Sequence, residues 1–205
     1  MRRIATIMIM LWALLAAGAL AEAALPAQEG LDAASAVNAM HAAVMRDVLG
    51  SEYSFSQLAG GDSIFVLYTD EAGENYLMVS LTQEGRADMA VIQCYSLEQF
   101  RTNGLDSLTA LAMPFIPEDK FDSFEKWRED SAGSAQSALL TGMDMDLTYY
   151  TGEYVACAMS VAHQEGAANA ALLTAVVSWH APLSAEDVTL IMEGGEYGET
   201  EADGK

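Results

Sequence analysis

SIFVLYTDEAGENYLMVSLTQEGRADMAVIQCY, residues 63–95, is the stretch on which the fold turns. It divides into three runs suited to strands, Ser63–Thr69, Asn75–Thr82 and Asp88–Tyr95, separated by two short polar breaks. The first run is apolar on both faces and rich in β-branched and aromatic residues, which pack well on a pleated surface. In the second run Leu77, Val79 and Leu81 share one face, and Tyr76, Met78 and Ser80 the other. Asp70-Glu71-Ala72-Gly73-Glu74 and Gln83-Glu84-Gly85-Arg86-Ala87 each carry a glycine free to take positive φ, as hairpin loops require. Loops this short force antiparallel neighbours, because a parallel crossover needs about a dozen residues or more. The expected centre is therefore an antiparallel meander with one face covered by helices.

The flanks supply those helices. Residues 31–49 read as an amphipathic helix with Asp32 as its cap and Val37, Met40, Val44 and Val48 on one stripe. Ser51–Leu58 alternates as an edge strand. Ser96-Leu97-Glu98-Gln99 is a capping box, with Tyr95 and Phe100 as staple residues, so a helix is expected from Leu97 until Pro114. Pro117 opens another helix, its acids Glu118 and Asp119 at the positive end of the dipole. Ser131–Ser137 lacks large side chains and reads either as a linker or as a weak continuation of that helix.

The second half has the same layout. Met143–Tyr150, Tyr154–Ala162 and Asn169–His180 read as strands, the last so apolar that both its faces should be covered. Tyr154, Ala156, Ala158, Ser160 and Ala162 make a small-residue face on which a helix has room to lie close. Leu183-Ser184-Ala185-Glu186-Asp187-Val188 repeats the cap-and-staple device and starts a final helix. The expected fold class is thus α+β: antiparallel meanders packed by helices on one face, in one domain or in two similar α-β-β-β-α subdomains. In order these are a signal peptide (1–23), a first unit (24–116), a second unit (117–193) and an acidic disordered tail (194–205).

Met1-Arg2-Arg3, the uncharged run Ile4–Ala19 and small-x-small sites at 19–21 and 21–23 are the parts of a cleavable export signal. The expected location is outside the cytoplasm, with no membrane span left once the signal is cut; left uncut, the run is just long enough to anchor the chain. A formal charge of -21, from 30 acidic against 9 basic residues, repels phosphate backbones and makes nucleic acid an implausible partner.

Chemistry is harder to find. The three histidines, His41, His163 and His180, stand in no metal or catalytic motif, and there is no Gly-x-Ser-x-Gly elbow, dinucleotide fingerprint or paired zinc-ligand spacing. No cofactor is implied. Cys94 and Cys157 both fall in expected strands. Export permits a disulfide between them, whereas the face Cys157 shares with Val155, Met159 and Val161 is that of a buried thiol. Tyrosine is the remaining lead. Tyr53, Tyr68, Tyr76, Tyr95, Tyr149, Tyr150 and Tyr154 lie on strands or their ends, and tyrosine joins apolar area to a polar tip at little entropic cost. The reading is an exported, acidic, non-catalytic binding or interaction domain for an unknown protein or small ligand. The alternative is a secreted hydrolase using Cys/His or carboxylate chemistry.

Overall fold

A computed structural model describes residues 26–44, 49–50, 53–57, 64–73, 75–95, 99–163 and 171–195. Seven strands form one sheet: β1 (Tyr53–Gln57), β2 (Ile64–Thr69), β3 (Asn75–Leu81), β4 (Ala87–Cys94), β5 (Met145–Thr151), β6 (Val155–His163) and β7 (Ala171–Leu183). Their order across the sheet is β1-β2-β3-β4-β7-β6-β5, and each pairing is antiparallel. The two meanders thus meet through their third strands, and Val91 of β4 sits opposite Val176 of β7.

The turns form as their chemistry dictates. In the β2–β3 loop Gly73 takes φ 67°, its N–H donates to the Asp70 carbonyl, and the Asn75 amide donates to the Asp70 carboxylate. In the β3–β4 loop Gly85 takes φ 75° and the Thr82 N–H donates to the Arg86 carbonyl.

Four α-helices, α1 (Gln28–Ala42), α2 (Leu105–Ala112), α3 (Phe121–Thr141) and α4 (Ala185–Met192), cover the same face of this sheet. Val37 and Met40 from α1, Leu108 and Leu111 from α2, Phe124 and Ala138 from α3, and Val188 and Ile191 from α4 join one cluster with Val66, Leu77, Ile92, Leu173 and Val177 of the strands. That cluster is the main core. Among the described helices, none is long and apolar enough to cross a membrane.

Several boundaries differ from expectation. Helix α1 starts at Gln28, after Ala27, so Asp32 is not its cap; it lies a turn inside and accepts from the Gln28 side chain at 2.8 Å. Val44, expected on the buried stripe, is 39 % exposed. The box at Ser96–Gln99 falls largely outside the described residues, and the segment that follows begins as a π-helical turn (Phe100–Gly104) before α2. Pro114 acts as expected: α2 ends at Ala112 and the proline enters a 3-10 turn.

Of the two readings of Ser131–Ser137, the helical continuation is the one found, not the linker. The stretch is the middle of α3, a helix of 21 residues, and Ser131, Ala135 and Ala138 are buried along one stripe of it. Small side chains there are what close packing on β5 and β6 requires, so tertiary burial overrides the weak local preference. The second box is found where expected: Ser184 accepts from the Asp187 N–H, and the Asp187 carboxylate accepts from the Ser184 N–H at 2.8 Å. The signal segment, the turn at Gln164–Gly166 and the tail from Glu196 lie outside the described residues.

Candidate functional site

The tyrosines do not gather into one surface. Tyr68 is 2 % exposed in the core, its hydroxyl 3.3 Å from Ser35 Oγ and its ring 5.9 Å from that of Tyr53. Tyr76 and Tyr95 meet edge to face at 5.8 Å, and the Tyr76 hydroxyl donates to the Gly73 carbonyl at 2.7 Å, closing the β2–β3 loop. Tyr149 is 56 % exposed on the edge strand β5, and Tyr154 is 41 % exposed in the β5–β6 turn. Register sets Tyr76 level with Thr174 and Tyr154 level with His180, at opposite ends of β7. Tyr150, expected among the surface tyrosines, is instead buried against Phe124 and Trp127.

Nor are the cysteines joined. Both are free and buried. Cys94 aligns with Leu173, and Leu173 with Val161, whereas Cys157 lies four residues away along β6. The two Cα atoms are therefore about 10 Å apart across the sheet and about 13 Å along it, against a limit near 7 Å for a disulfide. Strand β7, which follows both in the chain, lies between β4 and β6, so chain order alone does not reveal the separation. Burial, with a smaller push from the Asp70 charge, moves the Cys94 thiol up to about 12, and burial moves that of Cys157 higher still.

The histidines offer these thiols no base. His41 is sealed in the core, with neither ring nitrogen bonded, and burial lowers its pKa to about 3. His163 is held by Asp144: its N–H donates to the carboxylate at 2.7 Å and its Nδ1 lies 3.2 Å from the same oxygen. These contacts, the backbone one foremost, lower the Asp144 pKa. The His180 Nδ1 lies 2.6 Å from the Glu153 carbonyl. Among the described residues no thiol–imidazole pair is assembled, and no three His, Cys, Asp or Glu side chains converge closely enough to hold a metal ion.

The structure brings together something else. On the side of the sheet away from the core, cross-strand register lines up three rows. One runs Leu67, Met78, Val91, Val176, Ala158, Tyr149. A second runs Phe65, Ser80, Met89, Ser178, Ala156, Thr151, and a third Thr69, Tyr76, Gln93, Thr174, Ser160. None of these positions carries a charge, in a chain with 30 acidic residues. Phe65, Met78, Met89, Val91, Ala158 and Val176 form a second buried apolar cluster, with Leu67 and Leu147 packed on it. No described helix contributes to it. From β4 to β5 is three strand spacings, about 14 Å, and an α-helix with side chains is about 10–12 Å across.

No family model, curated protein or solved structure matches the chain. The chemistry of its own surfaces is what bears on function.

Proposed function

We propose that the protein is an exported, non-catalytic interaction module whose binding surface is the sheet face away from the described helices, where the Asp88 carboxyl bonds Ser80 amid otherwise uncharged rows. The observation that carries this reading is the sorting of side chains. All four described helices bury their apolar residues on one side, while a second apolar cluster lies on the other with no described helix upon it. Sheets that face water normally alternate apolar-in and polar-out, and this face departs from that rule at Phe65, Leu67, Met78, Met89, Val91 and Val176. The span from β4 to β5 is wide enough for one apolar helical segment of a partner to lie across β6 and β7. Export is supported by the basic, apolar and small-x-small elements at the N-terminus.

The test uses the processed protein beginning at Ala24 and a dye that fluoresces on apolar surfaces. The native protein is expected to bind it, and Ser160→Lys with Ser178→Lys, both at half-buried positions on this face, to abolish binding with the fold intact. A processed protein that binds no dye, or a double variant that binds it equally well, refutes the reading.

A further inference from the structure

We propose that the groove between α3 and β5 is a second binding site, for the ring of a neutral saccharide. The groove has a volume of about 320 Å³, at the lower end of the range for small-molecule sites, about 300–1,000 Å³. Three of its features together select the ligand class.

Its aromatic element is Trp127, whose indole is propped from behind by the rings of Phe124 at 5.8 Å and Tyr150 at 6.0 Å while the residue remains half-buried on the groove. A ring locked in this way offers apolar area without a further loss of side-chain freedom on binding. The groove's mostly apolar lining is edged by hydroxyls. Ser131 and Thr148 bond each other across the groove at 2.8 Å, and the Ser134 hydroxyl donates to the Asp130 carbonyl. Finally, Lys126 and Asp130 sit one helical turn apart at the same groove, and neither side chain forms an ion pair with a described residue.

A purely apolar ligand would strip water from the exposed Ser123 and Ser134 hydroxyls and from these charges without replacing its hydrogen bonds, which is costly. A phosphate or other anion would find one lysine in a chain of charge -21. What fits is a flat apolar face for the indole, edged by groups that both donate and accept: acceptors for Lys126, donors for Asp130, and either for the serine and threonine hydroxyls. The C–H face and hydroxyl rim of a pyranose have that form. This site shares no residue with the sheet face of the first proposal, so either proposal can fail alone.

The experiment follows the indole N–H resonances of the purified protein while cellotriose, maltotriose and chitotriose are added in turn. Trp179 is the internal control, since it is 3 % exposed and its N–H donates to the Leu111 carbonyl. At least one sugar is expected to move the Trp127 resonance and not that of Trp179, with a dissociation constant on the order of a millimolar. Asp130→Ala and Lys126→Ala, both at exposed positions of α3 that leave the fold intact, are each expected to weaken that sugar about tenfold; sorbitol, which has no ring face, is expected to have no effect. Silence at Trp127 with all three sugars at about 20 mM overturns the proposal. So does a response that sorbitol reproduces or that both variants leave unchanged.

Discussion

Ser131 on α3 and Thr148 on β5 share a hydrogen bond of 2.8 Å that ties the longest helix to the edge of the sheet. Ser131 is 2 % exposed, so removing either hydroxyl strands the other. Ser131→Ala and Thr148→Val are each expected to cost about 1–2 kcal/mol in denaturant unfolding. The double variant should cost clearly less than their sum, because it leaves no unpaired hydroxyl behind. Strict additivity would show that the contact does not hold α3 in place.

His41 makes stability depend on pH. Its folded pKa is lowered by burial to about 3, against 6.5 for a free imidazole. Above pH 6.5 both folded and unfolded states carry it neutral and it contributes no slope. Below 6.5 the unfolded chain takes up a proton that the folded chain refuses, so stability falls as pH drops towards 3, by at most about 5 kcal/mol. Neither ring nitrogen has a hydrogen-bond partner, so His41→Met should keep the packing and flatten this part of the curve. Urea midpoints for both proteins between pH 7.5 and 4.5 check it; parallel curves would rule the mechanism out.

Two glycines with nearly the same backbone angle should respond differently to alanine. Gly85 has φ 75° and Gly142 has φ 67°. A Cβ on Gly142 meets nothing within 4 Å, whereas one on Gly85 would lie 2.9 Å from the Gly30 backbone nitrogen. Gly142→Ala is expected to cost only the left-handed strain, about 1–2 kcal/mol. Gly85→Ala adds a backbone clash that must push α1 away from the β3–β4 turn, and should cost distinctly more. Equal losses on thermal unfolding would contradict the close approach of α1.

The thiols should be silent in the native protein. Cys94, with its pKa pushed up to about 12, has a thiolate fraction on the order of one in ten thousand at pH 8, and burial blocks access as well. Reaction with a disulfide reagent is expected to be negligible until denaturant is added, then to reach two thiols per chain. A thiol count of zero after unfolding without reductant would mean that the cysteines are bridged after all.

How much of this was legible in the residues themselves varies by kind of feature. Strand runs at 64–69, 75–81 and 87–94, the glycine turns between them and the Ser184 box were readable because each rests on neighbours in the chain. The α+β class followed. The Ser131–Ser137 stretch stayed open between linker and helix, because its small residues favour neither until a sheet lies beneath them. The groove at Trp127 gave only a faint signal, a helix stripe in which Ser123, Ser131 and Ser134 surround one tryptophan. Nothing in that spacing says that Thr148 will stand opposite.

Local alternation, turn chemistry and caps were settled by the amino-acid order alone, since each involves residues within a few positions of one another. Tertiary structure decided the pairing of β4 with β7, the distance between Cys94 and Cys157, and the choice of a single face for all four described helices. Those outcomes depend on contacts between segments far apart in the chain, where burying one apolar surface against another selects among arrangements that local preference leaves equal.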